Sequence, residues 1–216
     1  FGSDALLLAR FCRPWPRQRA ADLCSGCGAV ALEWHDGGHR GPCDAVELAP
    51  EASALLAGAL ARQGIGHISP VCADLRTFAP SEAGRYDLVA CNPPYFTAER
   101  QSERPERALA RHESAEGCTL AEVCLAAARL LRDGGRFALC QKPERLAEVF
   151  AALTAARLEP KRLAFVKNAP EGAPSLNWQS LLDEPVLAGV EVDPARFARL
   201  RDSHPEIAHI ITNLYQ

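Results

Sequence analysis

The segment Asn92-Pro93-Pro94-Tyr95 follows a run of mostly apolar residues, 86–91. Two successive prolines restrict the backbone and favour extended conformations at Asn92 and Pro93. The side-chain amide oxygen of Asn92 and the carbonyl oxygen of Pro93 can then both accept hydrogen bonds from one planar amino group. Two such acceptors encourage the nitrogen lone pair to leave conjugation and to face an electrophile. The segment therefore indicates group transfer to a planar amino nitrogen.

Two aromatic residues, Tyr95 and Phe96, complete this segment. A flat ring on which a base stacks contributes about 1–3 kcal/mol in single-stranded nucleic-acid sites. Transfer of a group from a carrier that is already electrophilic needs no strong base, so alignment and fixed polar groups are what such a site must supply. The alternative is a rigid turn beside a buried aromatic side chain.

A short strand-like run, 19–23, leads into a loop of small residues, and the segment across this junction reads Asp22-Leu23-Cys24-Ser25-Gly26-Cys27-Gly28. Glycines here permit a tight turn and a close approach of the backbone to a ligand at the start of a helix. A plain strand-to-helix turn remains an alternative. A metal or redox site at Cys24 and Cys27 is a second one, although the sequence has no second CxxC to complete a zinc site.

Two carboxylates lie at or just after the ends of the next two predicted strands. Glu47 lies about twenty residues after the loop, where an acidic side chain can bind both hydroxyls of a ribose. Asp74 lies where it can accept a hydrogen bond from an adenine amino group. The alternatives are a solvent-exposed glutamate and a helix N-cap, a position that aspartate favours. Without a full G-x-G-x-x-G spacing, the pattern favours a single nucleoside over a dinucleotide.

Alternating strands and helices must position these residues, and they predict a parallel sheet covered on both faces. In such sheets ligands bind beyond the carboxyl ends of the strands, which is where the loop, both carboxylates and the proline segment fall. The predicted strands are 19–23, 43–48, 68–72, 86–91, 136–140 and 163–166. The predicted helices are 5–12, a helix that starts at 29–34, 50–63, 120–131 and 143–156. Residues 169–189 show no clear period, and the tail beyond them gives no interpretable pattern.

A polar segment between the proline segment and residue 116 is rich in arginine. It contains Arg100, Arg104, Arg107 and Arg111. We expect these side chains to contact phosphates, with help from Lys142, Arg145, Lys161 and Arg162. The alternative is an exposed loop of balanced charge.

Composition sets broad limits on the class of protein. The 216 residues suffice for one domain, and the 48% hydrophobic content and net charge of −3 are ordinary. The nine cysteines are scattered through apolar runs, as expected of small buried side chains in a reducing compartment. Without a membrane-length apolar run or a signal peptide, we expect a monomer in the cytoplasm with no membrane partner. The sequence holds no methionine, so we expect an N-terminal segment to precede residue 1.

The sequence resembles the class I methyltransferases, and within their amino-methylating branch it is most similar to the bacterial tRNA1(Val) adenine-37 N6-methyltransferase family. The similar segments are Phe1-Gly2-Ser3-Asp4-Ala5 with Leu7-Leu8, the loop 22–28, residues 92–96, Ala110-Arg111-His112-Glu113, 130–137 and 142–146. The resemblance implies a Rossmann-like α/β fold with a mostly parallel seven-stranded sheet and helices on both faces. It also implies the cofactor S-adenosylmethionine, a tRNA partner and methylation of an anticodon-loop adenine.

The resemblance assigns roles to residues that match its motifs. The catalytic residues would be Asn92, Pro93, Pro94 and Tyr95. The cofactor would bind at Asp22, Cys24, Ser25, Gly26, Gly28, Glu47, Leu48, Ala73, Asp74 and Asn92. The substrate would bind at Tyr95, Phe96, Arg100, Arg104, Arg107, Arg111 and Lys142, and no metal is expected.

The sequence departs from the family pattern in two places. Cys24 replaces the first glycine of the usual D-x-G-x-G-x-G, so that turn must tolerate a side chain. The tail after Asn168 does not match. Other substrates with planar amino groups stay open, namely rRNA guanine, DNA adenine and protein glutamine. A non-catalytic nucleoside-binding or RNA-binding module on the same fold also stays open.

Overall fold

The computed structural model describes residues 3–93, 96–97, 112–113, 117–167 and 207–215. The described helices are α1 (Ser3–Phe11), α2 (Ala29–Asp36), α3 (Pro50–Gln63), α4 (Leu75–Ser81), α5 (Leu120–Leu130) and α6 (Leu146–Ala155). The described strands are β1 (Ala20–Leu23), β2 (Cys43–Glu47), β3 (Ile68–Cys72), β4 (Tyr86–Cys91), β5 (Phe96–Thr97), β6 (His112–Glu113), β7 (Leu131–Gln141), β8 (Glu159–Lys167) and β9 (Ile207–Tyr215).

Seven strands form one sheet in the order β3-β2-β1-β4-β7-β9-β8. Neighbouring strands from β3 to β7 are parallel, whereas β9 runs antiparallel to both β7 and β8. The chain order reverses beside β1, which lies between β2 and β4. This is the kind of switch point at which open α/β sheets bind ligands. The predicted mostly parallel seven-stranded α/β fold is confirmed.

Two apolar clusters cover the two faces of this sheet. One includes Val89 and Phe137 of the sheet with α5 and α6. The other includes Leu88 and Ala138, the alternate strand positions, with α1, α2 and α3. Because both faces are covered, the strands are apolar on both sides, as a parallel sheet requires. Among the described helices, none has both the length and the apolar character needed to cross a membrane.

Several predicted bounds are confirmed without change, namely helix 50–63 and strands 68–72 and 86–91. Local signals explain this agreement. Pro50 occupies the first turn of α3, and Gly64 ends that helix in the left-handed conformation with φ 66°.

Other bounds need correction. Residues 132–135, which separate the predicted helix 120–131 from the predicted strand 136–140, lie inside β7, where pairing skips from Leu131 opposite Tyr86 to Arg136 opposite Leu88. Gly134, with φ 72°, accommodates this irregularity. The predicted helix 143–156 begins as a 3-10 turn, Pro143–Arg145, and the predicted strand 163–166 extends over β8. The tail, which gave no interpretable pattern, contains β9.

Candidate functional site

The carboxyl ends of four parallel strands meet at one edge of the sheet. Leu23 at the end of β1 pairs with Val46 of β2 on one side and with Cys91 of β4 on the other. Glu47 at the end of β2 pairs with Cys72 at the end of β3. The sheet therefore brings together the glycine loop, both predicted carboxylates and the start of the proline segment.

The loop after β1 uses three residues in the left-handed conformation, Cys24 (φ 54°), Gly26 (φ 55°) and Gly28 (φ 84°). A β-carbon on Gly28 would lie 2.5 Å from Cδ1 of the buried Leu56, so this position requires glycine. The Ser25 amide donates to the Val46 carbonyl at 3.1 Å. The turn thus holds its own backbone against β2 and leads directly into α2.

Glu47 joins the first two strand ends. Its Oε2 accepts a hydrogen bond from the Gly26 amide at 2.7 Å, and its Oε1 accepts one from the Ala49 amide at 2.9 Å. The residue is half-buried, in contrast to the solvent-exposed glutamate of the alternative interpretation. A carboxylate has about four acceptor positions, so capacity remains for two hydroxyl donors.

Asp22 is a buried carboxyl group on β1, only 1% exposed. Its Oδ2 accepts from the Ala31 amide in the first turn of α2 at 3.3 Å. Its Oδ1 has no hydrogen-bond partner within the described parts of the chain. Burial raises the pKa of Asp22 to about 8, because the charged form loses its hydration, and the nearby Glu47 charge adds to the effect.

Asp74 caps helix α4 and accepts from the Arg76 amide at 2.8 Å. The Arg76 side chain also donates to Asp74 at 2.9 Å, and this hydrogen bond holds the Asp74 pKa below its usual range. The N-cap interpretation is therefore confirmed. A role in adenine binding stays a prediction for Asp74 and its half-buried neighbour Ala73, as does a cofactor contact of the exposed Leu48.

Asn92 and Pro93 follow β4 directly, with Asn92 half-buried and Pro93 buried. The Asn92 Nδ2 donates to Oδ2 of Asp4, in the first turn of α1, at 3.0 Å. In the sequence, Asp4 belongs to one of the segments similar to the tRNA1(Val) family, but no role was predicted for it. The presence of a carboxylate in that segment was the signal that could have identified it.

The structure describes only some of the remaining predicted catalytic and substrate residues. Pro94, Tyr95, Arg100, Arg104, Arg107 and Arg111 lie outside the described residues. Phe96 is described only as part of β5, which pairs with β6.

The described basic residues form contacts within the chain. Lys142 is half-buried just after β7, and its amide donates to the Gln141 side chain at 2.8 Å. Arg145 forms an ion pair with Glu148, and the Arg162 guanidinium stacks on Phe11 at 4.5 Å from the ring centroid. The Arg145 side chain is mostly buried, and its expected contact with phosphates stays a prediction.

Cys24 contacts a cysteine other than its predicted CxxC partner. Its Sγ lies 3.7 Å from Sγ of Cys118, which precedes α5. This contact lowers the pKa of the Cys24 thiol, but the hydrogen bond with Cys91 and burial outweigh it, so the pKa stays well above its usual value. A thiol that keeps its proton is a weak nucleophile and a weak metal ligand.

Comparison with known proteins identifies relatives that share one name, tRNA1(Val) (adenine(37)-N6)-methyltransferase. The protein from Aeromonas hydrophila is 33% identical over 143 residues, which cover 64% of this chain and 57% of that relative. The protein from Porphyromonas gingivalis is 28% identical over 212 residues, 94% of this chain and 81% of that relative. The chain thus spans less than two thirds of the Aeromonas relative. A comparison with protein-family models finds no match.

A third relative has a different substrate in its name. A ribosomal protein uL3 glutamine methyltransferase from Xanthomonas campestris is 38% identical over 92 residues, 41% of this chain and 28% of that protein. The 92-residue segment that it shares with this chain therefore also occurs in a protein named as a glutamine methyltransferase.

Solved structures agree on the fold. A predicted O-methyltransferase from Agrobacterium tumefaciens has a TM-score of 0.63 and 17% identity, and covers 98% of this chain and 80% of its own. A geranyl diphosphate C-methyltransferase from Streptomyces coelicolor, in complex with S-adenosyl-L-homocysteine, has a TM-score of 0.60 and 14% identity, with 96% and 78% covered. The class I methyltransferase fold and the resemblance to the tRNA1(Val) enzymes are thereby confirmed.

Proposed function

We propose that the chain is an S-adenosylmethionine-dependent methyltransferase that methylates N6 of an anticodon-loop adenine in tRNA. The observation that carries the proposal is the adjacency of two strand ends. Asn92 and Pro93 follow β4, and β4 pairs directly with β1, whose loop is tied to Glu47. A nucleoside held by the loop and an amino group held by Asn92 would therefore meet at one edge.

The residues at this edge fit the cofactor. The turn 24–28 approaches a ligand with backbone only, and Glu47 keeps acceptor capacity for ribose hydroxyls. The unpartnered Oδ1 of Asp22 is a buried polar atom of the kind that a polar ligand can satisfy. When bound, S-adenosylmethionine supplies a methyl group made electrophilic by its sulfonium.

The chain's own residues then hold and orient the amino group. The Asn92 Oδ1 and the Pro93 carbonyl each accept one N–H, which leaves the nitrogen lone pair free to face the methyl carbon. The N–C bond forms as the S–C bond breaks, the sulfur keeps the bonding electron pair, and the nitrogen then loses one proton to solvent. Alignment and fixed polar groups are the main contribution of such a site.

The tRNA substrate is supported by two different observations. The relatives that match most of the chain are named for tRNA. The segment 100–111 carries four arginines, a local positive charge on a chain of net charge −3. A second candidate is methylation of a protein glutamine amide, which the uL3 relative favours.

One assay separates these candidates. The chain is incubated with radiolabelled S-adenosylmethionine and, in parallel, with unmodified total tRNA, adenine-containing duplex DNA and ribosomal proteins, and the products are digested and identified. We expect N6-methyladenosine in the tRNA. Label in protein glutamine or in DNA alone would contradict the substrate. Absence of transfer together with absence of cofactor binding by calorimetry would contradict the reaction.

A further inference from the structure

Asp4 and Asn92 are 88 positions apart in the chain, but their side chains meet. The Asn92 Nδ2 lies 3.0 Å from the Asp4 Oδ2, and both side chains are half-buried. The contact connects the first turn of α1 to the end of β4. It is the observation from which the following inference starts.

Helix α1 is fixed on the sheet, so Asp4 has a defined position. Leu7 and Leu8 are buried in the cluster that includes Leu88 and Ala138 of the sheet. The indole Nε1 of Trp34 in α2 donates to the Ala9 carbonyl at 3.1 Å. The burial of these leucines and the hydrogen bond from Trp34 together hold the helix that carries Asp4.

An asparagine amide has one accepting end and one donating end, and rotation by half a turn about its last torsion exchanges them. An ionised carboxylate accepts hydrogen bonds and donates none. The end of Asn92 that faces Asp4 must therefore be the NH2 group, and its Oδ1 must face the opposite side. The charge on Asp4 also strengthens this hydrogen bond and polarises the amide, which makes Oδ1 a better acceptor.

We propose that Asp4 is a positioning residue that fixes the Asn92 amide with its oxygen towards the amino group to be methylated. The inference rests on the proposed function, because only amino methylation gives the Asn92 Oδ1 a substrate N–H group to accept from. Asp4 acts through Asn92 and not on the reacting atoms. Loss of Asp4 removes the carboxylate that selects this orientation of the amide, so that in a fraction of molecules an NH2 group opposes the substrate's own N–H donors.

Single variants test the role first. Asp4→Ala should lower kcat for methyl transfer about 10- to 100-fold, while the Kd for S-adenosylmethionine and the midpoint of urea unfolding stay close to wild type. Asp4→Asn, which keeps an acceptor, should lose less. Glu33→Ala is the matched control. Glu33, on α2, is a carboxylate that pairs at 2.7 Å with Arg10 of α1, the helix that also carries Asp4. Equal kcat in Asp4→Ala and wild type would overturn the proposal.

A paired exchange tests the mechanism more sharply. Asn92→Asp places two carboxylates in contact and should be nearly inactive. Adding Asp4→Asn restores one donor and one acceptor across the contact. The double variant should have a kcat at least tenfold above that of Asn92→Asp alone. Additive losses of kcat would overturn the proposal, because they would show that the two side chains act independently.

A spectroscopic measurement keeps the inference separate from the proposed function. The side-chain amide protons of Asn92 should give two resolved NMR signals in wild type, one shifted by the carboxylate, and this shift should disappear in Asp4→Ala. Absence of methyl transfer by wild type with the NMR shift intact would contradict the proposed function alone. An unchanged spectrum in Asp4→Ala would contradict the positioning role.

Discussion

Asp22 shows at the scale of one residue how burial alters a charge beside a ligand site. The folded chain keeps this carboxyl group protonated up to a pKa of about 8, whereas the ordinary value is 3.8. Between these two values the folded state binds a proton that the unfolded state has released. Stability from this residue is therefore complete below pH 3.8 and is lost as the pH rises towards 8.

Asp22→Asn should remove this pH dependence. The amide oxygen can still accept from Ala31, and the substitution has no proton to lose. Measured by urea unfolding from pH 5 to 8, the stability of the variant relative to wild type should rise by up to about 1.4 kcal/mol per pH unit. A constant difference across this range would show that Asp22 is ionised in the folded chain.

Asn92→Ala should separate chemistry from cofactor binding. The substitution removes the acceptor proposed for the substrate but none of the loop contacts of Glu47. We expect methyl transfer to fall at least 100-fold, the scale observed when one fixed polar group is removed from a transition state. The Kd for S-adenosylmethionine, measured by calorimetry, should change little. Equal losses in both would place Asn92 in cofactor binding instead.

The turn between β1 and α2 is the element on which the proposed cofactor site depends. Gly26 and Gly28 both have positive φ, but their surroundings differ: nothing lies near a β-carbon on Gly26, whereas one on Gly28 would collide with Leu56. The same backbone conformation therefore has two different consequences. This difference permits a matched pair of substitutions.

Gly26→Ala should destabilise the fold by about 1 kcal/mol, the cost of a left-handed alanine. Gly28→Ala should cost about 2 kcal/mol more, because Leu56 must move from a packed position. Chemical denaturation of both variants measures the difference. Equal losses of stability in the two variants would mean that Leu56 of α3 can move without cost. Gly28 would then be required only for its backbone conformation.

The elements that sequence predicts well are those with local signals. Helix α3 has Pro50 in its first turn and Gly64 at its end, and β4 is a mostly apolar run. In contrast, β9 is defined by pairing with β7 and β8, which lie at least 40 residues earlier in the chain, and its own sequence has no alternation. The site divides in the same way: the strand-end motifs are local, whereas the Asp4–Asn92 contact joins distant segments.

At the scale of the whole molecule, charge limits how the chain would bind the proposed tRNA substrate. A net charge of −3 gives no general attraction to a polyanion, so binding must come from a local basic surface. The predicted source is the arginine segment 100–111, which lies outside the described residues. Its role stays a prediction that binding experiments can test.

Reversing Arg104 and Arg107 to glutamate should weaken tRNA binding at least tenfold. The slope of log K against log salt should also become shallower by about 1–2, since fewer counterions are released. Filter binding at several salt concentrations measures both quantities. Arg17→Glu is a suitable control, because Arg17 is exposed just before β1, at the amino ends of the strands. Unchanged affinity in the double variant would exclude the arginine segment from the tRNA interface.

The most direct test of the whole account is methyl transfer to a single defined tRNA. An unmodified tRNA1(Val) transcript with adenine at position 37, and a matched transcript with guanine there, are incubated with the chain and labelled S-adenosylmethionine. We expect N6-methyladenosine from the first transcript and no label in the second. Equal labelling of both, or transfer to neither by a chain that binds the cofactor, would contradict the account.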